Sequence, residues 1–86
     1  MKLKHDFVVR EVAGEYVMIP MGEGALAFSG RVATSEVGAF LCECLREEVS
    51  RDQLIGKLLE EYEVDMDTAS ADVDEFLQTL KKLNLI

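Results

Sequence analysis

The chain is poor in the residues on which most enzymes and nucleic-acid-binding proteins depend. Its 86 residues include one histidine, His5, and nine lysines and arginines against 17 acidic residues. A single histidine excludes a multi-histidine metal site and a proton relay built on two histidines. The formal net charge of −8 opposes binding to nucleic acid, which is held chiefly by Lys and Arg. The charge balance instead favours a partner that carries some positive charge.

Motifs for cofactors, metals and membranes are also missing. No stretch approaches the roughly 20 apolar residues of a membrane span, and the charged start of the chain does not resemble a signal peptide. The segment Gly22–Gly24 lacks the lysine of a phosphate-binding loop, and the acids between Asp65 and Glu75 lack the glycine-centred spacing of a calcium loop. We therefore expect a cytoplasmic protein with no catalytic residue, no metal and no cofactor.

Cys42 and Cys44 lie two positions apart in a helical pattern. Their side chains then point about 200° apart around the helix axis, so they cannot share a metal or form a disulfide with each other. We expect Cys44 to be buried and Cys42 to lie near the edge of the apolar stripe.

The first third of the chain has the pattern of extended strands. Residues 6–12 and 16–20 are rich in β-branched residues and are separated by a turn at Ala13–Gly14–Glu15, which predicts a hairpin. A third strand is predicted over residues 25–29, with Leu26 and Phe28 on its core face. Residues 30–33 are interpreted as a connector.

Three amphipathic helices are predicted to follow, over residues 35–47, 51–62 and 66–83. Thr34 is the expected cap of the first, and Gly38 within it suggests close packing at that point. Ser50 and Gln53 form a capping box at the start of the second. Asp65 or Asp67 is expected to cap the third.

These elements describe one α+β domain over residues 1–86, a three-stranded antiparallel sheet followed by three helices. A short sheet leaves an edge strand with unpaired backbone groups. A helix beside such an edge makes a groove that an extended peptide can enter. The order of the elements therefore favours a peptide receptor.

Several strings in the chain resemble those of the PqqD-like family, whose fold is also called the RiPP precursor peptide recognition element. Residues 9–17 resemble the opening hairpin of the family, and residues 34–41 resemble its first helix. Residues 58–65 and 71–77 resemble its passage from the second to the third helix. The resemblance covers nearly the whole chain.

The resemblance implies a winged helix-turn-helix-like scaffold that acts as an adaptor without turnover of its own. It would bind the leader segment of a ribosomally made precursor peptide and present it to a modifying enzyme, often a radical SAM protein. In this family the leader adds a strand to the third strand and lies against the third helix. The residues that this implies here are Ala25, Leu26, Ala27, Phe28, Ser29, Ala69, Asp72, Val73 and Phe76.

Two other functional classes remain open from the residues alone. One is a winged-helix protein that binds nucleic acid or acts in transcription, which the acidic third helix opposes. The other is a structural module that forms a homodimer through its free strand edge. For the peptide-binding hypothesis, Val73→Asp is predicted to weaken leader binding and to leave the fold intact.

Overall fold

A computed structural model describes residues 1–22 and 30–86 of the chain. In these residues three antiparallel strands precede three helices, which confirms the predicted α+β class. The elements are β1 (Phe7–Val12), β2 (Glu15–Pro20), β3 (Val32–Thr34), α1 (Glu36–Cys44), α2 (Arg51–Glu61) and α3 (Met66–Lys82).

The hairpin of β1 and β2 forms where the sequence predicts it. Val12 pairs with Glu15, so the loop consists of two residues, Ala13 and Gly14, and Glu15 belongs to β2 rather than to the turn as predicted. Both have positive φ, 54° and 82°, as a type I′ turn requires. The twist of such a turn matches that of the two strands, and this fixes their register.

The third strand of the sheet is β3, at Val32–Thr34, in the segment that the sequence analysis interpreted as a connector. It pairs antiparallel with β2, with Tyr16 opposite Thr34 and Met18 opposite Val32. The connector interpretation is therefore wrong. The predicted strand over residues 25–29 lies outside the residues that the structure describes.

Capping side chains set where the helices begin. Ser35, rather than Thr34, caps α1, because its Oγ accepts a hydrogen bond from the Gly38 N–H at 3.0 Å. The capping box of α2 is confirmed: the Gln53 N–H donates to Ser50 Oγ at 3.1 Å, and the Ser50 N–H donates to Gln53 Oε1 at 2.8 Å. At α3 the cap is Asp65, whose carboxylate accepts the Thr68 N–H, and this hydrogen bond lowers the pKa of Asp65.

The core lies between the inner face of the hairpin and the three helices. Its largest fully buried side chains are Phe7, Met18, Leu41, Cys42, Leu45, Leu54, Leu58, Val73, Leu80 and Leu85. Leu85 packs onto the domain, and its carbonyl accepts the Lys4 N–H at 2.9 Å. A hydrogen bond therefore joins the two ends of the chain beside the core.

The two cysteines are buried in the opposite order from the prediction. Cys42 is fully buried and Cys44 is only partly buried. The reason is that the buried face of α1 is centred on Gly38, Leu41 and Cys42, which follow one another at helical spacing. Burial, with a smaller contribution from Glu43, raises the pKa of the Cys42 thiol to about 11.

In residues 1–22 and 30–86, no helix combines the length and the apolar composition needed to cross a membrane. The longest, α3, has 17 residues and alternates buried apolar positions with exposed charged ones.

Candidate functional site

The strand β3 is at an edge of the sheet. The strand order is β1-β2-β3, and among the described residues no strand pairs with the outer side of β3. Alternate residues of an antiparallel strand direct their N–H and C=O groups to one side, so part of the backbone of β3 points away from β2. This edge can accept an additional strand.

A groove of about 330 Å³ lies beside this edge, between β3 and α3. Its volume is at the lower end of the roughly 300–1,000 Å³ that ligand sites occupy. The strand and the start of α1 form one wall and the floor, and α3 forms the other wall. The described residues that line it are Val32, Ala33, Thr34, Ser35, Val37, Gly38, Asp72, Glu75, Phe76, Thr79 and Leu80.

The side of α3 that faces the groove is apolar toward the core and polar toward solvent. Phe76 is half-buried and exposes part of its ring to the groove, and Leu80 lies fully buried beneath it. Asp72, Glu75 and Thr79 occupy the same side of the helix at spacings of three and four residues. The Thr79 hydroxyl donates to the Glu75 carbonyl at 3.1 Å, so it is engaged within the helix.

Gly38 allows α1 to approach both walls of the groove. A Cβ at this position would overlap Thr34 Oγ1 and would lie 3.2 Å from Thr34 Cβ and 3.3 Å from Phe76 Cε1. To accommodate it, the Thr34 hydroxyl must rotate, and Thr34 Cβ and the Phe76 ring must each shift by a few tenths of an ångström. The close packing expected at Gly38 is confirmed.

Two helical glycines give a direct test of this close approach. Gly56 in α2 has no atom within 4 Å of an added Cβ, so Gly56→Ala should stabilise the domain by about 0.5–1 kcal/mol through helix propensity alone. Gly38→Ala should have the same gain in helix propensity, but overpacking should cost about 1–3 kcal/mol. The substitution should therefore destabilise the domain. Urea unfolding of both variants measures the difference. An equal stabilisation by the two substitutions would contradict the close contact at Gly38.

The surface around β3 is acidic. A second depression shares Ala33, Thr34 and Ser35 with the groove and is lined by Glu11, Glu15, Tyr16 and Glu36 toward the hairpin turn. Partial burial, Glu11 and Glu36 all raise the pKa of the Tyr16 hydroxyl. Among the described residues that line the two depressions there is no lysine, arginine or histidine.

The structure divides the predicted site residues into three groups. Asp72 and Phe76 line the groove. Ala69 and Val73 have 0% exposed surface and belong to the core, so the expectation that their side chains reach a ligand is corrected. Residues Ala25, Leu26, Ala27, Phe28 and Ser29 lie outside the described part of the chain.

Other residues that line the groove are absent from the predicted site. Val32 and Thr34 belong to a strand of three residues, which is too short to show a clear alternation. Glu75 and Thr79 had a detectable signal, because they repeat at helical spacing from Asp72 along the edge of the apolar stripe. Within the same described ranges, no group of three or more His, Cys, Asp or Glu side chains is arranged to hold a metal ion.

A protein-family model described as coenzyme PQQ synthesis protein D (PqqD) matches residues 10–86. The chain belongs to the PqqD family. The match includes both strands of the hairpin beyond Val9, β3 and all three helices. The groove therefore lies within the part of the chain that the family model matches.

A solved structure shares the fold of this PqqD family member. It is described as TbiB1 in complex with the TbiA(beta) leader peptide, and it superposes with a TM-score of 0.70 over 99% of this chain and 93% of that chain. The two sequences are 24% identical, so the likeness concerns the fold. Among curated proteins, none matches this chain.

Proposed function

We propose that this PqqD family member is a non-catalytic adaptor that binds the leader segment of a ribosomally synthesised precursor peptide. The leader adds a strand to the outer edge of β3 and packs its side chains against Phe76 of α3. The adaptor then presents the precursor to a modifying enzyme, for which a radical SAM protein is the expected type.

The observation that carries this proposal is the position of the groove at the outer edge of β3. An extended peptide in the groove would meet, on one side, backbone groups of β3 that no described strand pairs with, and on the other side a partly exposed aromatic ring. Two further findings support it: membership of the PqqD family, and a likeness in fold to a protein solved with a leader peptide.

The energetics of strand addition show which contacts must supply the affinity. Several backbone hydrogen bonds contribute about 0.5–1.5 kcal/mol each. Ordering the peptide costs about 1–2 kcal/mol per residue, so these two contributions nearly cancel. Apolar anchors at about 1.5–3 kcal/mol each therefore supply most of the roughly 8 kcal/mol needed for micromolar binding. Phe76 is the large apolar side chain that the groove offers to such an anchor.

The polar groups of the groove suit binding better than turnover. Ser35 Oγ accepts the Gly38 N–H, and the Thr79 hydroxyl donates to the Glu75 carbonyl, so both hydroxyls already have helical partners. Nucleophilic catalysis requires a hydroxyl or thiol that is hydrogen-bonded to a base, and among the described residues neither hydroxyl makes a hydrogen bond to a carboxylate or an imidazole. The chemistry of modification is accordingly assigned to the partner enzyme.

The proposal is tested by titrating ¹⁵N-labelled protein with a synthetic leader, copied from a precursor peptide encoded beside this gene. The expected result is a set of amide shifts at Val32–Thr34 and along α3 from Asp72 to Thr79. A peptide with the same composition in scrambled order is the matched control and should cause no such shifts. Shifts confined to other surfaces would refute the proposed site.

The same samples discriminate the adaptor from a homodimer formed through the edge of β3. Light scattering over a concentration series should give a monomer that becomes a 1:1 complex with the leader. A dimer that the leader does not dissociate would show that the edge is already occupied by a second copy, and this would contradict the proposal.

A further inference from the structure

The acidic residues of α3 differ in whether the domain already neutralises them. Asp65 is used as the helix cap. Asp74 forms a two-pronged ion pair with Arg51, at 2.5 and 2.9 Å, which lowers the pKa of Asp74. Asp72 and Glu75 have no salt bridge to any residue in the described part of the chain.

Three acidic residues of α3 have no salt bridge among the described residues: Asp67 lies in the first turn and does not line the groove, whereas Asp72 and Glu75 both line it. Asp72 is partly buried, and Glu75 lies one turn further along the same side of α3. Residues three apart on a helix have Cβ atoms about 5–6 Å apart, so the two negative charges repel each other across a single turn. Arg31, which comes directly before β3, is not among the residues that line the groove.

The spacing of these residues matches that of an extended peptide. Asp72 and Phe76 are four residues apart along α3, which corresponds to a rise of about 6 Å. In an extended strand, side chains on the same face are two residues apart and separated by about 6.6–6.8 Å. A bound strand that runs along α3 can therefore place one side chain at Asp72, with Glu75 one turn away, and the next side chain of the same face on Phe76.

We infer that the peptide bound in this groove carries a lysine or arginine that pairs with Asp72 and Glu75, two residues away from an apolar side chain that packs on Phe76. The inference rests on the proposed function and specifies the class of peptide that the groove selects. A leader with an acidic residue at this position meets two carboxylates and is rejected, so the pair discriminates among leaders. The expected contribution of the basic residue is about fivefold in affinity, as is usual for charge pairs that remain partly exposed.

The experiment uses a display library of random 12-residue peptides, selected on the intact protein. Enriched peptides should contain Lys or Arg two positions from an apolar residue. One of them, synthesised with a fluorescent label, should bind Asp72→Asn/Glu75→Gln about fivefold more weakly than the unmodified protein. Glu60→Gln/Glu63→Gln removes the same charge from exposed positions outside the groove and should leave the affinity unchanged.

A second measurement tests whether the fivefold effect comes from pairing of the basic residue with Asp72 and Glu75. When the basic residue of the peptide is replaced by Gln, its affinity should no longer differ between the unmodified protein and Asp72→Asn/Glu75→Gln. Circular dichroism checks that each variant is folded. Peptides that bind through Phe76 but show no basic preference, or no loss with Asp72→Asn/Glu75→Gln, would overturn the inference and leave the adaptor proposal intact. Failure to enrich any peptide whose binding depends on Phe76 would overturn both.

Discussion

Replacing Val73 with aspartate is expected to unfold the domain. Val73 has no exposed surface and lies in the core with Leu41, Leu77 and Leu80. An introduced carboxyl would find no partner there, so it must either remain charged in an apolar environment or take up a proton. Protonation alone costs about 4 kcal/mol at pH 7 for a group whose ordinary pKa is near 3.9.

This cost is comparable to the whole stability of the domain. A chain of this length has a free energy of unfolding of roughly 4–13 kcal/mol, at about 0.05–0.15 kcal/mol per residue. The prediction from sequence, in which Val73→Asp leaves the fold intact and only weakens binding, is therefore corrected. Circular dichroism and urea unfolding at pH 7 provide the measurement.

The control for Val73→Asp is Ala71→Asp, on an exposed position of the same helix that does not line the groove. It should cost less than about 1 kcal/mol, since only helix propensity changes.

The loss of stability in Val73→Asp relative to the unmodified protein should shrink as the pH falls toward 4. The buried carboxyl has a raised pKa in the folded state. The resulting loss of folding stability therefore appears as the pH rises above the pKa that this carboxyl has in the unfolded chain. A Val73→Asp variant that is folded at pH 7 would contradict the burial of this residue.

Replacing Phe76 with alanine is expected to weaken binding of the leader peptide by about 10-fold to 100-fold. The substitution removes the aromatic wall of the groove, and losing an apolar anchor costs about 1.5–3 kcal/mol. Phe76 is only partly buried, so the domain should remain folded with reduced stability. Fluorescence anisotropy with a labelled leader measures the dissociation constant, at a temperature where circular dichroism shows the variant to be folded.

Met66→Ala is the matched control for Phe76→Ala. Met66 lies on the same helix with 57% of its surface exposed and does not line the groove. Its removal should leave the dissociation constant within about twofold, since the substitution touches no part of the groove. Equal affinities for Phe76→Ala and Met66→Ala would show that the leader does not use the aromatic wall.

The features that could be predicted from the sequence are those fixed by neighbouring residues. The turn that contains Ala13 and Gly14 and the capping box of Ser50 and Gln53 are determined within four residues. The capping box is found as predicted, and the turn is one residue shorter than predicted. The helices end within one to three residues of their predicted bounds. Local hydrogen bonds decide these features, so their residue types reveal them.

The features that could not be predicted depend on contacts between distant elements. The strand β3 exists because Val32–Thr34 pair with β2, and nothing in three residues distinguishes such a strand from a connector. Likewise, the apolar stripe of α3 contains both Val73 and Phe76. Only the position of β3 and α1 beside the helix determines that Val73 faces the core and Phe76 the groove.

The junction between β3 and α1 couples two surfaces of the domain. The strand ends at Thr34 and the next residue, Ser35, caps the helix, so no flexible segment separates them. The first turn of α1, where Glu36 lines the acidic depression outside the groove, therefore adjoins the strand to which the proposed leader adds. A partner that binds this turn more tightly when the leader is present would, by reciprocity, also hold the leader more tightly.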